Sequence, residues 1–204
     1  MKALGKGSIA SIVRGGLQVA WVILWILTAC LIIAAIGYGA ILVMVSNGLI
    51  DPSVLEGGGG RVHMDGADGG GGDFNISYDQ PGGGTWPVVV PALLIGGVAI
   101  GGALVIVWRL RKLFDSFSSG EPFLRENATH LRVIWITMLV IEISRYVLMA
   151  LTGALLAAFG GPDVHANYTL NIDLSTWGSI LILIVLAEVF REGARLKEEQ
   201  ELTI

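Results

Sequence analysis

Charge is scarce in this chain. Only 15% of its 204 residues are Asp, Glu, Lys or Arg, against about 25% in an ordinary soluble domain. That deficit belongs to a membrane protein. Cysteine is almost absent. Cys30 stands alone, which excludes an intrachain disulfide. Close metal-ligand spacing is missing too. His63 and His165 have acidic neighbours in Asp65, Asp68, Asp73 and Asp163, but no pair has the spacing of a zinc module. The stretch from Asp65 to Asp73 misses both the EF-hand and the glycine-aspartate nonapeptide patterns. No metal and no cofactor is expected. Neither GxSxG nor HExxH occurs, and no glycine cluster sits between a strand and a helix as a phosphate loop requires. The chain reads as non-enzymatic, with no catalytic residues. The one set of groups that could support chemistry, around His130, Arg132 and Glu188, has a spacing that names no reaction.

Apolar residues are abundant, at 53% with a mean hydropathy of +0.71. They gather in four stretches, Leu17–Val45, Val88–Trp108, Val133–Phe159 and Leu174–Phe190. A helix needs roughly 20 apolar residues to cross a hydrocarbon core of about 30 Å. The first three stretches reach that length, and the fourth crosses with little tilt. The first is too long for a signal h-region and lacks a small-residue cleavage site, so it reads as a retained span.

The basic residues alternate by side. Lys2, Lys6 and Arg14 precede the first span. Arg109, Arg111, Lys112, Arg125 and Arg132 lie between the second and third, and Arg191, Arg195 and Lys197 follow the fourth. Of the 13 basic residues only Arg61 and Arg145 lie elsewhere. By the positive-inside rule both termini and the middle loop are cytoplasmic. Trp21, Trp25, Trp108 and Trp135 then fall at the inner boundary, and Trp86 and Trp177 at the outer one. The first outer loop is acidic, with Asp51, Glu56, Asp65, Asp68, Asp73 and Asp79 against Arg61. The inner basicity suits anionic headgroups and argues little for direct nucleic-acid binding.

The outer loops span 46–87 and 160–173, the cytoplasmic loop 109–132 and the tail 191–204. Three glycine runs separate two short pieces in the first outer loop, Arg61–Met64 and Phe74–Asp79. In the second piece Phe74, Ile76 and Tyr78 alternate with polar residues. Tyr168, Leu170, Ile172 and Leu174 do the same in the second outer loop. Such alternation marks half-buried strands. The expected fold is an all-α membrane protein: one four-transmembrane-helix bundle, with a small extracytoplasmic β cap formed by the two outer loops.

Four groups of residues are candidates for function or packing. Glu142 and Arg145 are three apart within the third span, with Glu142 about 15 Å in. They act as a neutralised pair gluing the bundle, or as a site for sensing, proton movement or ligand capture. Gly97 and Gly101 form GxxxG, which allows close helix packing within the chain or at a homodimer seam. The cytoplasmic turn offers Phe117, Gly120, Pro122, Phe123, Asn127 and Arg132 as a docking surface or a well-made interfacial turn, with Asn127 or Thr129 capping the third helix. The tail carries Glu188–Arg191, Glu192–Arg195 and Arg195–Glu199 at i,i+3 or i,i+4, and Glu198 beside them. It reads as a helix continuing past the membrane as a charged rod.

The Phe-x-x-Gly-x-Pro-Phe turn at Phe117–Phe123 and the Glu-Glu-Gln-Glu-Leu-Thr end at Glu198–Thr203 carry a resemblance. The chain resembles the bacterial membrane family called domain of unknown function twenty-nine seventy-five over most of its length, except the glycine-rich outer loop. The resemblance implies a four-span bacterial inner-membrane protein without assigned activity. It also implies a cytoplasmic helix-turn-helix regulator as partner. The leading expectation is a sensor or membrane partner of such a regulator. A small oligomeric transporter or channel subunit is the alternative.

Overall fold

Lipid offers a backbone no hydrogen-bond partner, so an apolar run there closes its bonds on itself as a helix, even when rich in β-branched residues. The computed structural model follows this rule. It describes residues 9–51, 54–55, 60–64, 74–78, 86–118, 125–159, 165–168 and 173–201. The elements are α1 (Ile9–Ser46), β1 (Gly60–Met64), β2 (Phe74–Tyr78), α2 (Trp86–Ser118), α3 (Arg125–Phe159), β3 (His165–Tyr168) and α4 (Leu174–Glu201). All four helices are long and apolar enough to cross a membrane, which makes this a multi-pass membrane protein. Their outer surfaces agree. Ile33, Leu181 and Ile182 are each more than 60% exposed, a display that soluble monomers avoid.

Every apolar stretch lies inside a helix, but the helices outrun the stretches. Within the loop expected over 109–132, α2 continues to Ser118 and α3 begins at Arg125. The cause is a continuing helical period: Leu110, Leu113 and Phe117 keep one apolar face pointed at the core beyond the membrane run. At the other end of the chain's first helix, Gly48 adopts φ +69°. Leu49 N donates to Met44 O at 2.9 Å and Gly48 N to Val45 O at 3.0 Å. This is the paired closure that a left-handed glycine permits at a helix end.

Three threonine hydroxyls within the spans are satisfied locally. Thr28, Thr137 and Thr152 each donate to the carbonyl four residues back, at 2.7, 2.7 and 2.8 Å. A hydroxyl in lipid needs such a partner.

The strands form one antiparallel sheet in the order β1-β2-β3. Phe74 pairs with Tyr168 and Ile76 with Ala166, joining the two loops. The third strand begins earlier than its alternation suggests, at His165, and Leu174 belongs to α4. Arg61–Met64, without a clear alternation, also becomes a strand through its pairing with Phe74–Ser77.

The chain divides into two compact units, 1–28 with 99–142 and 178–204, and 29–98 with 143–177. Each helix contributes to both. In the first unit Leu113, Leu131 and Ala187 are buried, with Leu110, Phe117, Trp135, Leu183 and Phe190 packed on them. On α4 the inward residues Ile180, Leu183, Ala187, Phe190 and Ala194 follow alternating steps of three and four. That is the seam of a coiled-coil-like contact, and it runs past the apolar stretch to Ala194, 2% exposed. In the second unit Trp86 meets Phe159 with ring centroids 5.2 Å apart.

The glycines of α2 divide their contacts differently from the GxxxG expectation. A Cβ on Gly96 would meet Leu31 at 3.2 Å, and one on Gly97 at 3.7 Å. At Gly101 it would meet nothing within 4 Å. Within the chain the closest approach is at Gly102, where a Cβ would lie 2.4 Å from Ile141 Cδ1. A step of one residue turns a helix face by about 100°, so Gly102 faces α3 while Gly101 does not.

Candidate functional site

The first unit brings α3 and α4 side by side, and their polar ends border a groove. Arg125, Thr129 and Arg132 recur at helical spacing on one face of α3, and Glu188 and Arg191 on α4 face them. They border a groove of about 350 Å³ floored by Ala128 and Ala187. Trp135 and Ile184 close its apolar end. A second groove of about 200 Å³ continues along Arg125, Arg191, Arg195, Glu192 and Glu198.

The charged rod carries the ion pairs its spacing suggests. Arg191 bonds Glu188. Arg195 lies 2.6 Å from Glu192 and 3.4 Å from Glu199. All are exposed, so each adds little stability.

On the α2 side, basic residues lie over aromatic faces. Arg109 and Lys112 sit 4.5 and 4.1 Å from the Trp108 ring, and Arg111 sits 5.5 Å from Trp21. Arg109 also reaches His130 Nδ1 at 3.2 Å. Arginine only donates, so that nitrogen accepts and the ring's proton belongs on Nε2. Arg14 pairs with Asp115 between α1 and α2.

Two residues expected on the docking surface are taken into the packing instead. Phe117 stacks on Phe190, with centroids 5.8 Å apart and planes at 26°. Asn127 is 1% exposed. It is not a cap, because α3 begins two residues earlier. Its Nδ2 donates to Ser116 Oγ at 2.8 Å, tying the end of α2 to the start of α3. Thr129 Oγ1 likewise turns back to Arg125 O, at 3.4 Å. Gly120, Pro122 and Phe123 lie outside the described residues. Arg132, Glu188, Arg191, Glu198 and Glu199 are exposed as expected.

Asn127→Ala is expected to destabilise the purified protein by about 1–3 kcal/mol, since it removes a buried amide and leaves its partners short of a bond. Ser116→Ala is expected to have the smaller effect. Thermal unfolding in detergent measures both.

Glu142 is 5% exposed within α3. Arg145 follows it by three residues. In the second unit the Arg145 guanidinium stands 5.2 Å from the Tyr146 ring. Asp173 caps α4 there: its Oδ1 accepts from Ser175 N at 2.9 Å, and its Oδ2 from the Thr176 hydroxyl at 2.5 Å. The Thr176 hydroxyl, then the Ser175 amide, hold its carboxyl below the usual range, and the Arg145 charge adds to this. Arg145 therefore stands within electrostatic reach of the first turn of α4.

Among the described residues no group of three His, Cys, Asp or Glu side chains is placed to hold a metal ion. The register sets His63 opposite Asn75 and His165 opposite Ser77.

A model of the family described as Protein of unknown function (DUF2975) matches residues 84–204. That range holds α2, α3, β3 and α4, so the likeness stops short of α1 and the glycine-rich loop. No curated protein and no solved structure matches the chain.

Proposed function

The chain belongs to the DUF2975 family of proteins of unknown function, and we propose that it is a sensor or membrane partner of a cytoplasmic helix-turn-helix regulator in a bacterial inner membrane. The observation that carries this reading is α4. It leaves its apolar stretch at Phe190 and continues as an ion-paired helix to Glu201. A lone anchor has no need of such an extension. The distribution of Lys and Arg supports cytoplasmic termini. In that orientation the three-stranded sheet belongs to the outer loops, where it receives the signal. Arg132, Glu188, Arg191, Glu198 and Glu199 offer the partner a charged surface.

Affinity capture of the full-length protein from its own membranes tests the reading. The expected result is retention of a DNA-binding protein that is lost when Arg195–Ile204 is deleted, together with altered transcripts. Retention of no regulator, with transcripts unchanged by the deletion, would refute it.

The second reading is a small oligomeric transporter or channel subunit. It is favoured by the buried Glu142, with Arg145 three residues on. Solute flux into liposomes that disappears with Glu142→Gln would select it over the first.

A further inference from the structure

We propose that the groove between α3 and α4 holds the phosphate headgroup of an anionic phospholipid. Two features of the groove lead there. The first is charge. Arg191 is already matched by Glu188, whereas Arg125 and Arg132 have no acidic side chain within ion-pair distance among the described residues. These two guanidinium groups border a groove of about 350 Å³. Each can hold phosphate oxygens with two parallel bonds.

The second feature is position. Arg132 immediately precedes the apolar stretch of α3, and Arg191 immediately follows that of α4. The groove therefore straddles the boundary between hydrocarbon and water. Its polar end is basic, and its other end is bounded by Trp135 and Ile184. A phospholipid has this same order of chemistry, phosphate above and acyl chain below. Basic pockets between spans at this level are suited to anionic headgroups. The alanine floor leaves the space that a larger side chain would fill. A free phosphate ion would satisfy the arginines but leave the apolar end uncovered.

The site does not depend on the partner reading. A lipid bound here would hold the base of the α4 rod against α3, whatever the rod engages.

Native mass spectrometry of the full-length protein in detergent tests the proposal, with phosphatidylglycerol, phosphatidylcholine and inorganic phosphate as the three probes. Phosphatidylglycerol is expected to bind in preference to phosphatidylcholine. Arg125→Ala with Arg132→Ala is expected to weaken phosphatidylglycerol binding by roughly tenfold. Thr129→Trp, which retains every charge but blocks the groove, is expected to do the same. Arg14→Ala removes a basic residue elsewhere and is expected to leave binding unchanged. Equal binding of the two lipids would overturn the proposal. So would a loss in Arg14→Ala as large as in the groove variants, because the attraction would then be diffuse. Displacement of the lipid by millimolar phosphate would reassign the groove to a free anion. Size-exclusion profiles establish that each variant is folded, and wild-type binding by both groove variants would also refute the site.

Discussion

Gly102→Val is expected to destabilise the protein by about 1–3 kcal/mol, the range for overpacking a tight contact. A Cβ at this position would stand 2.4 Å from Ile141 Cδ1, 2.6 Å from Ile141 Cγ1 and 3.4 Å from Thr137 Cγ2. Alanine alone requires the isoleucine to turn away. Valine adds two methyl groups and, being stiff in a helix, has no good rotamer to relieve them. The check is a double-mutant cycle. Ile141→Ala deletes both crowded atoms, so it is expected to recover much of the loss in the Gly102→Ala background. Gly101→Ala serves as the comparison. Its Cβ would meet nothing within 4 Å, so the gain in helix propensity is expected to leave stability equal or up to about 1 kcal/mol higher. The reverse ranking, with Gly101→Ala damaging and Gly102→Val neutral, would return the close approach to the GxxxG pair. Unfolding in detergent, followed by circular dichroism, distinguishes the two.

That one-residue difference shows where sequence reasoning stops. The glycines of the second span announce a close approach, but not which neighbour lies on which side. Small residues at 96, 97, 101 and 102 serve three directions of one helix, and only the packing of Leu31 and Ile141 chooses among them. Other features were legible because their causes are local. The four spans follow from length and hydropathy. The ion pairs of α4 follow from spacing on one helix, and the structure has all three. Phe74, Ile76 and Tyr78 fall within β2, whereas β3, His165–Tyr168, shares only Tyr168 with the alternating residues of the second outer loop. Asn127 was illegible for the opposite reason. An asparagine early in a helix reads as a polar surface residue or a cap. Its burial depends on its bond to Ser116, eleven residues earlier at the end of α2. The groove has the same character. Arg125, Thr129 and Arg132 show a common face on α3, but its wall on α4 is a tertiary fact.

Where Glu142 and Arg145 neutralise each other, Arg145→Met has the largest expected effect, a loss of roughly 3–5 kcal/mol, the range for removing one member of such a pair. Glu142 is 5% exposed, and its register places Arg145 on the same face of α3. An isolated charge at such a depth is costly, so a pair of this kind is lost when either member is removed. The substitution also takes a positive charge from the surroundings of Asp173, so the carboxyl that caps α4 is expected to titrate at a higher pH than in the parent protein. Glu142→Leu combined with Arg145→Met removes both charges, and replacing a whole pair by apolar groups is often neutral. The double variant is therefore expected to unfold close to the parent, well above Arg145→Met alone. A double variant no more stable than the single would mean that Arg145 is held mainly by groups other than Glu142. The recovered double variant also separates the two roles the pair could have. Tested for regulator retention and for liposome flux, a stable double variant with intact output assigns Glu142 and Arg145 to packing. A stable one without output makes the pair part of the mechanism, because nothing else in the protein has been lost.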